Sequence, residues 1–346
     1  MTTTPPARLS SEGLWLTAAL AGVSRLPYDL KVRPIGNVDE TLPGHPGLHV
    51  LQDSGFCVGR DLHEDLKKRM EILGLPDLQV TVRIDHPKFR SDHLVGPPPA
   101  FDPGVDPEKH PIEAYEALMR WNAEQRGTQR VAVLCRRGGE WVSAVRLWQI
   151  GKDTTASGAS DAEFGGDDSD IPIQMHAEVQ TEIDEIVVSF LGAADIAESV
   201  NQVIGDHEPA QFDGINVPAG LLEPILGRWQ QNPAMDLIAA LRDAGLNMPQ
   251  ARVIEAAADA SATQITVTAT EFSLGGEEYA PRVVTVIDSL IGRLMQSQSV
   301  SPDGLVWSTL MPATSQRIGQ AVRHMCTELP SGEEWESHRR SRAFGS

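Results

Sequence analysis

His63-Glu64 opens a spacing that on a helix would seat a zinc ion between two histidines with the glutamate as general base, but Lys67 stands where the second histidine belongs. The segment reads as a solvated helix face. His45 and His49 are close enough to share an ion, yet Pro46 adjoins the first and the run is loop-like, which favours loop histidines without a metal. Asp167, Asp168 and Asp170 would attract calcium, but the run lacks the spaced ligands, central glycine and terminal glutamate of a calcium loop. Gly151-Lys152 has neither the upstream glycine nor the following Ser or Thr of a phosphate-binding loop, and the sequence contains no GxGxxG after a strand and no GxSxG elbow. Asp288 ends a strand-like run before Gly292-Arg293, a placement that suits a catalytic carboxylate. With no histidine or second acid near it in sequence, a turn role is the stronger reading. Catalytic residues, cofactor sites and metal sites are therefore all expected to be absent.

The tryptophans point elsewhere. Trp15, Trp141, Trp148 and Trp307 fall on helix-like or strand-like runs and read as core. Trp141 and Trp148 lie an odd number of residues apart on one strand, so they face opposite sides, and an aromatic ring on an outer sheet face is a frequent anchor for a protein partner.

The elements that carry these residues alternate between helical and extended patterns. Ser10 or Ser11 caps a helix through Leu14, Trp15, Ala18 and Ala19, ended by Gly22. Tyr28 to Arg33 alternates as a short strand, and Asp61 to Leu73 returns to helical spacing closed by Gly74 and Pro76. Gln79 to Ile84 predicts a strand with one buried face. Val131 to Arg136 and Trp141 to Trp148 flank Gly138-Gly139 as a hairpin. Two insertions interrupt this half. Residues 86–130 hold a proline-rich run and a predicted helix over Pro111 to Gln125, and residues 151–170 are rich in Gly, Ser and Asp and predict disorder. Ile171 to Val179 reads as a strand and Thr181 to Leu191 as a helix. Helices follow over Val217 to Trp229 and Asp236 to Ala244, then strands over Val253 to Ala258, Gln264 to Phe272, Arg282 to Asp288 and Leu305 to Leu310. A last helix spans Thr314 to Leu329 with Ile318, Ala321, Val322 and Met325 in a stripe. The pattern predicts an α/β (α+β) fold of two quasi-symmetric halves around a central antiparallel sheet. The expected organisation is a disordered tail over 1–9, halves over 10–178 and 179–330, and a flexible tail over 331–346.

A formal charge of −19, from 48 acidic against 29 basic residues, repels phosphate backbones and anionic lipid. Nucleic acid is an unsuitable partner. Met1 to Arg8 lacks the basic start and apolar run of a signal peptide, and Leu14 to Val23 is about half the roughly 20 residues that span a bilayer. The cysteines at 57, 135 and 326 are odd in number and show no CxxC spacing, which fits a reducing cytosol.

In order along the chain, several segments resemble the EspG family, the chaperones of ESX (type VII) secretion systems in mycobacteria and related actinobacteria. They are Leu14-Trp15-Leu16 with Arg25-Leu26-Pro27 and Val32-Arg33-Pro34; Leu73-Gly74-Leu75-Pro76-Asp77, with Leu78 where the family has a basic residue; Cys135-Arg136-Arg137-Gly138-Gly139 through Ala144 and Arg146; Val286-Ile287-Asp288-Ser289 with Gly292-Arg293; and Trp307, Pro312-Ala313-Thr314 and Leu329-Pro330. The resemblance implies two quasi-symmetric halves, no catalysis, a cytoplasmic location and binding of PE–PPE heterodimers at the tip of the PPE subunit. It also implies contact through the 86–130 insertion, the hairpin with Arg136, Arg137, Trp141 and Trp148, and the helix face of Ile318, Val322 and Met325. Both insertions look longer than the family pattern. An empty apolar partner face would favour weak self-association. The competing readings are an α/β scaffold with another partner and a hydrolase-like enzyme whose residues meet only in space.

Overall fold

The computed structural model describes residues 5–32, 45, 47–86, 129–152, 180–259 and 261–340, with the backbone alone for 129, 147–152 and 180–184. The elements, in chain order, are β1 (Ala7–Leu9), α1 (Ser11–Leu20), α2 (Gly47–Asp53), β2 (Cys57–Val58), β3 (Asp61–Leu62), α3 (Glu64–Gly74), β4 (Leu78–Asp85), β5 (Gln129–Arg137), β6 (Glu140–Lys152) and β7 (Gln180–Gly192). There follow α4 (Ile196–Ile204), β8 (Ile215–Pro218), α5 (Ala219–Gln231), α6 (Leu237–Asp243), α7 (Met248–Ala258), β9 (Thr263–Phe272), β10 (Glu277–Tyr279), β11 (Val284–Ser289), β12 (Gly292–Val300), β13 (Val306–Pro312) and α8 (Ser315–Thr327).

The main sheet runs β1-β7-β6-β5-β4-β9-β11-β12-β13-β8, with β10 pairing β9. Every neighbouring pair is antiparallel. This order is a palindrome about the β4–β9 contact. Each half has an edge strand, then helices, then a four-strand meander whose last strand pairs back with the edge strand, then one more helix. An antiparallel central pair relates the halves by a pseudo-two-fold through the sheet.

Packing follows the strand period of two. Leu78, Val80, Val82 and Ile84 of β4 and Ile265, Val267 and Ala269 of β9 face one side, where α4 and α8 cover them with Ile196, Val200, Ile318, Val322 and Met325. On the opposite side α1 and α3 pack on Val131, Val133, Cys135 and Ile186, and α5 to α7 pack on Ile287, Leu294 and Leu310. Between those two helical groups β4 and β9 present Gln79, Thr81, Arg83, Thr268 and Thr270, with Phe272 at the end of the strip. The central strip of that face is polar because no helix covers it.

Local chemistry explains most boundaries. The Ser10 hydroxyl accepts the Gly13 amide at 3.0 Å to start α1. Gly22 and Val23 close it by donating to Ala19 and Ala18 carbonyls at 3.0 and 2.8 Å. Gly138 and Gly139, at φ 61° and 91°, make the two-residue turn of the β5–β6 hairpin. Asp236 caps α6 through the Ala239 amide.

Four sequence readings are corrected. Tyr28 to Arg33 is not a strand: Tyr28–Leu30 forms one 3-10 turn, closed by Lys31 in the left-handed region at φ 49°. Leu30 plunges into the core while its carbonyl takes the Arg146 guanidinium. Thr181 to Leu191 is β7 rather than a helix, because four of its apolar residues, Ile183, Ile186, Val187 and Val188, are β-branched and Ile186 and Val188 fill the inner face at strand spacing. Val253 to Ala258 is the end of α7, whose start lies upstream at the reciprocal Asn247–Gln250 capping box. Val217 and Pro218 belong to β8, with α5 starting at Ala219. Both α4 and β12 were absent from the sequence reading.

β4 is buried except at Arg83 and the half-buried Asp85, because helices cover one face and the 3-10 turn lays Asp29 over Gln79 and Thr81 on the other. β7 completes the first meander and α4 follows it, so the first half runs on past 179 to the end of α4 at Ile204. Residues 7–9 form an edge strand, and residues 331–340 are held in place rather than free. The helix expected over Pro111 to Gln125, the strand over Ile171 to Val179 and the disorder expected over 153–170 fall outside the described residues.

Candidate partner-binding groove

The uncovered polar strip is the floor of a groove of about 730 Å³ that crosses the pseudo-two-fold. One wall is the stretch Gly22–Asp29 with Leu73–Pro76 from the first half, and the other is Gly276, Glu277 and Tyr279 from the second. A smaller crevice of about 630 Å³ between α4 and α8 lies on the opposite face, among solvated helix side chains of one layer.

The 3-10 turn swings Asp29 over β4. Its carboxylate accepts from Gln79 Nε2 at 3.3 Å and Thr81 Oγ1 at 3.2 Å and pairs with Arg83. Gln79 also donates to Thr81 Oγ1 at 2.9 Å. Arg25 reaches across to Glu277 at 2.5 Å, an ion pair joining the two halves over the groove. Tyr28 and Tyr279 stand at the rims with 79% and 67% of their surfaces exposed. Partial desolvation and the neighbouring Glu277 carboxylate, which accepts from the phenol at 3.3 Å, raise the Tyr279 hydroxyl above its ordinary range. Aromatic rims over a floor of amides, hydroxyls and matched charges suit recognition of a polypeptide surface. The carboxylates are already engaged by arginines, and among the described residues no thiol or histidine lines the groove.

A second cluster braces the groove from the end of the sheet. Arg136 is 2% exposed and donates to the carbonyls of Trp335, Glu336 and His338 at 2.7, 2.8 and 3.1 Å. Its guanidinium lies 5.7 Å from the Trp141 ring centroid and 5.9 Å from that of Trp335. Burial holds its pKa below the usual arginine value. Asp77 joins in by accepting the Gly138 and Arg340 amides, each at 2.8 Å.

The EspG family model matches residues 113–324. This chain belongs to the EspG family. It is similar to the ESX-5 secretion-associated proteins EspG5 of Mycobacterium marinum and Mycobacterium tuberculosis, each 25% identical over 335 and 338 residues and aligned over 95% of both chains. The ESX-2 secretion-associated protein EspG2 of M. tuberculosis is 30% identical over 123 residues, 31% of this chain and 44% of that protein. Its fold is shared with a solved structure, the M. tuberculosis type VII secretion system chaperone EspG5 in complex with the PE25-PPE41 dimer. The TM-score is 0.61 at 21% identity, over 95% of this chain and 98% of that one.

On this EspG fold the residues singled out from sequence divide by burial. Trp141, Ile318, Val322 and Met325 come together in the core under α8, between 0% and 5% exposed, and Arg136 lies against Trp141. So covered, these side chains pack the central core between the sheet and α8. Arg137 turns the other way and donates to the Glu71 carbonyl at 3.2 Å. The Trp148 backbone pairs with Asp184 in the β6–β7 ladder, and its side chain is outside the described set. Asp288 is in a two-point ion pair with Arg293. His45 is buried against Trp15, with its ring nitrogens at Glu12 and the Gly47 amide. The sequence reading missed the groove residues Tyr28, Asp29, Arg83 and Tyr279, which come from separate segments and meet only after the sheet forms.

Proposed function

We propose that this chain is a cytoplasmic chaperone of a type VII secretion system that binds a PE–PPE heterodimer through its PPE subunit, and that it catalyses no reaction. The observation that carries this reading is the polar, aromatic-rimmed groove at the junction of the halves, on a fold shared with a chaperone solved with a PE–PPE dimer. Among the described residues no helix is long and apolar enough to cross a membrane, and a net charge of −19 favours a partner with apolar or basic contact faces. In this reading Tyr28 and Tyr279 contact the partner, while Arg136, Trp141 and the Ile318–Val322–Met325 stripe hold the walls in place.

Co-expression with the PE–PPE pairs encoded in the same genome, followed by size-exclusion chromatography with light scattering, tests it. A 1:1:1 complex with at least one pair is expected, and Tyr28→Ala with Tyr279→Ala should weaken it by about tenfold or more at unchanged folding. Absence of a complex with every pair would overturn the function, and unchanged affinity of the double variant would overturn the groove as its site.

A further inference from the structure

Three cations and two carboxylates line the groove. Arg83 is paired with Asp29 and Arg25 with Glu277, which leaves Arg340 as the one guanidinium there with no ion pair among the described residues, the nearby Asp77 carboxylate accepting its backbone amide instead. The groove is thus locally positive on a chain of net charge −19.

Arg340 is held there by construction. A chain terminus ordinarily frays unless it is tied down, and this one is tied at several points. Beyond the Arg136 and Asp77 contacts, the Ser331 amide and hydroxyl donate to Glu271, a carboxylate itself 4% exposed, and the His338 ring meets the Phe272 carbonyl at 3.0 Å. Trp335 is sunk in the central core. Beyond Ser331 the strap adds only Trp335 to that core, yet it receives one buried arginine and one buried aspartate. What those contacts fix is the position of Arg340 at the groove.

We propose that residues 331–340 form an end wall of the partner groove and that Arg340 receives a carboxylate, an Asp or Glu side chain, from the PPE segment seated there. This rests on the groove being the partner site. A guanidinium suits the role because it offers a planar pair of donors to a carboxylate. Arg136 and Asp77 act on recognition only by placing the strap.

Calorimetric titration with the PE–PPE heterodimer that the wild type binds decides the matter. Arg340→Glu should weaken binding by at least about tenfold, because it sets like charges face to face. Arg340→Ala should weaken it by about threefold with a shallower salt dependence. Thermal unfolding of both should match the wild type, since the side chain has no ion pair to lose among the described residues. Changing the facing acid of the PPE segment to lysine should restore binding to Arg340→Glu and to no other variant. Arg340→Glu binding within twofold of wild type, while the Tyr28/Tyr279 double variant still loses affinity, would overturn the inference and leave the groove standing. A wild type that binds no PE–PPE pair overturns both together.

Discussion

The two halves solve one structural problem with different chemistry. In each, the helix after the meander packs under the central strands, and the chain leaving it reaches the other half, where a buried arginine near a hairpin turn catches it. Arg293, beside the β11–β12 turn, donates to the Gly205 carbonyl at 2.7 Å just after α4, and clasps Asp288 at 2.6 and 2.8 Å. Arg136, beside the β5–β6 turn, donates to three carbonyls after α8 and lies between two tryptophans, and its Nε finds no acceptor among the described residues. One latch is a two-point ion pair, whereas in the other the guanidinium's own hydrogen bonds go to neutral carbonyls, with the buried Asp77 carboxylate close by.

That difference predicts unequal failures. Arg293→Ala strands the partly buried Asp288 carboxylate, a class of change that costs about 3–5 kcal/mol, and urea unfolding should show the loss globally. Arg136→Ala leaves only neutral carbonyls short of donors, about 1–3 kcal/mol. Its effect should be local, with hydrogen exchange accelerating at the amides of residues 332–340 well before the sheet opens. Equal global losses in the two variants would erase the distinction.

The turns differ as the latches do. Gly292 sits at φ 112°, and a Cβ there would lie 2.7 Å from the Ala210 nitrogen and 2.9 Å from the Glu208 carbonyl oxygen. The chain after α4 is pressed against this turn, with Arg293 N–H donating to Glu208 and Ala210 N–H to Arg293. Gly138, at φ 61°, has nothing within 4 Å of such a Cβ. Gly138→Ala should therefore cost only the left-handed backbone penalty, about 1–2 kcal/mol. Gly292→Ala adds a backbone collision to a strain of about 1–3 kcal/mol and should exceed it in the same denaturation assay. A Gly292→Ala loss no larger than that of Gly138→Ala would mean that the chain after α4 yields readily.

How much of this was legible follows from range. The α1 cap, the Gly138-Gly139 hairpin and the α8 stripe are local signals and read correctly. β7 and α7 were misread because Ile183, Ile186, Val187 and Phe190 fit a helical period as well as a strand, and Val253 to Ala258 was read without its cap at Asn247. The hairpin placed Arg136 and Trp141 side by side without saying which way they face, and that depends on α8 and Trp335, some two hundred residues away. The strap was invisible because Gly332 to Arg340 has no apolar period. The groove is an uncovered strip between two helical groups, and no segment carries the signature of something left bare.

The smallest expected effect also separates the halves. Cys135 and Cys326 are buried near the Arg136 latch, and the second half's latch has no cysteine near it. Burial pushes the Cys135 thiol well up and the Cys326 thiol up to about 12, against 9.0 when solvated, despite the lowering pull of Arg136 on Cys326. A raised folded-state pKa means that the folded chain keeps a proton that the unfolded chain gives up. The contribution is therefore intact below pH 9 and declines as pH rises toward 12. Between pH 8 and 10 Cys326 should account for roughly 1 kcal/mol of lost stability, seen as the difference in slope between wild type and Cys326→Ala in alkaline urea unfolding. Arg136→Ala removes the cation that favours the thiolate, so its decline should be at least as steep as in wild type, whereas Arg293→Ala should leave the slope unchanged. A Cys326→Ala curve parallel to wild type would show that this thiol ionises as freely in the folded chain as in the unfolded one, and that the Arg136 latch is already open to water.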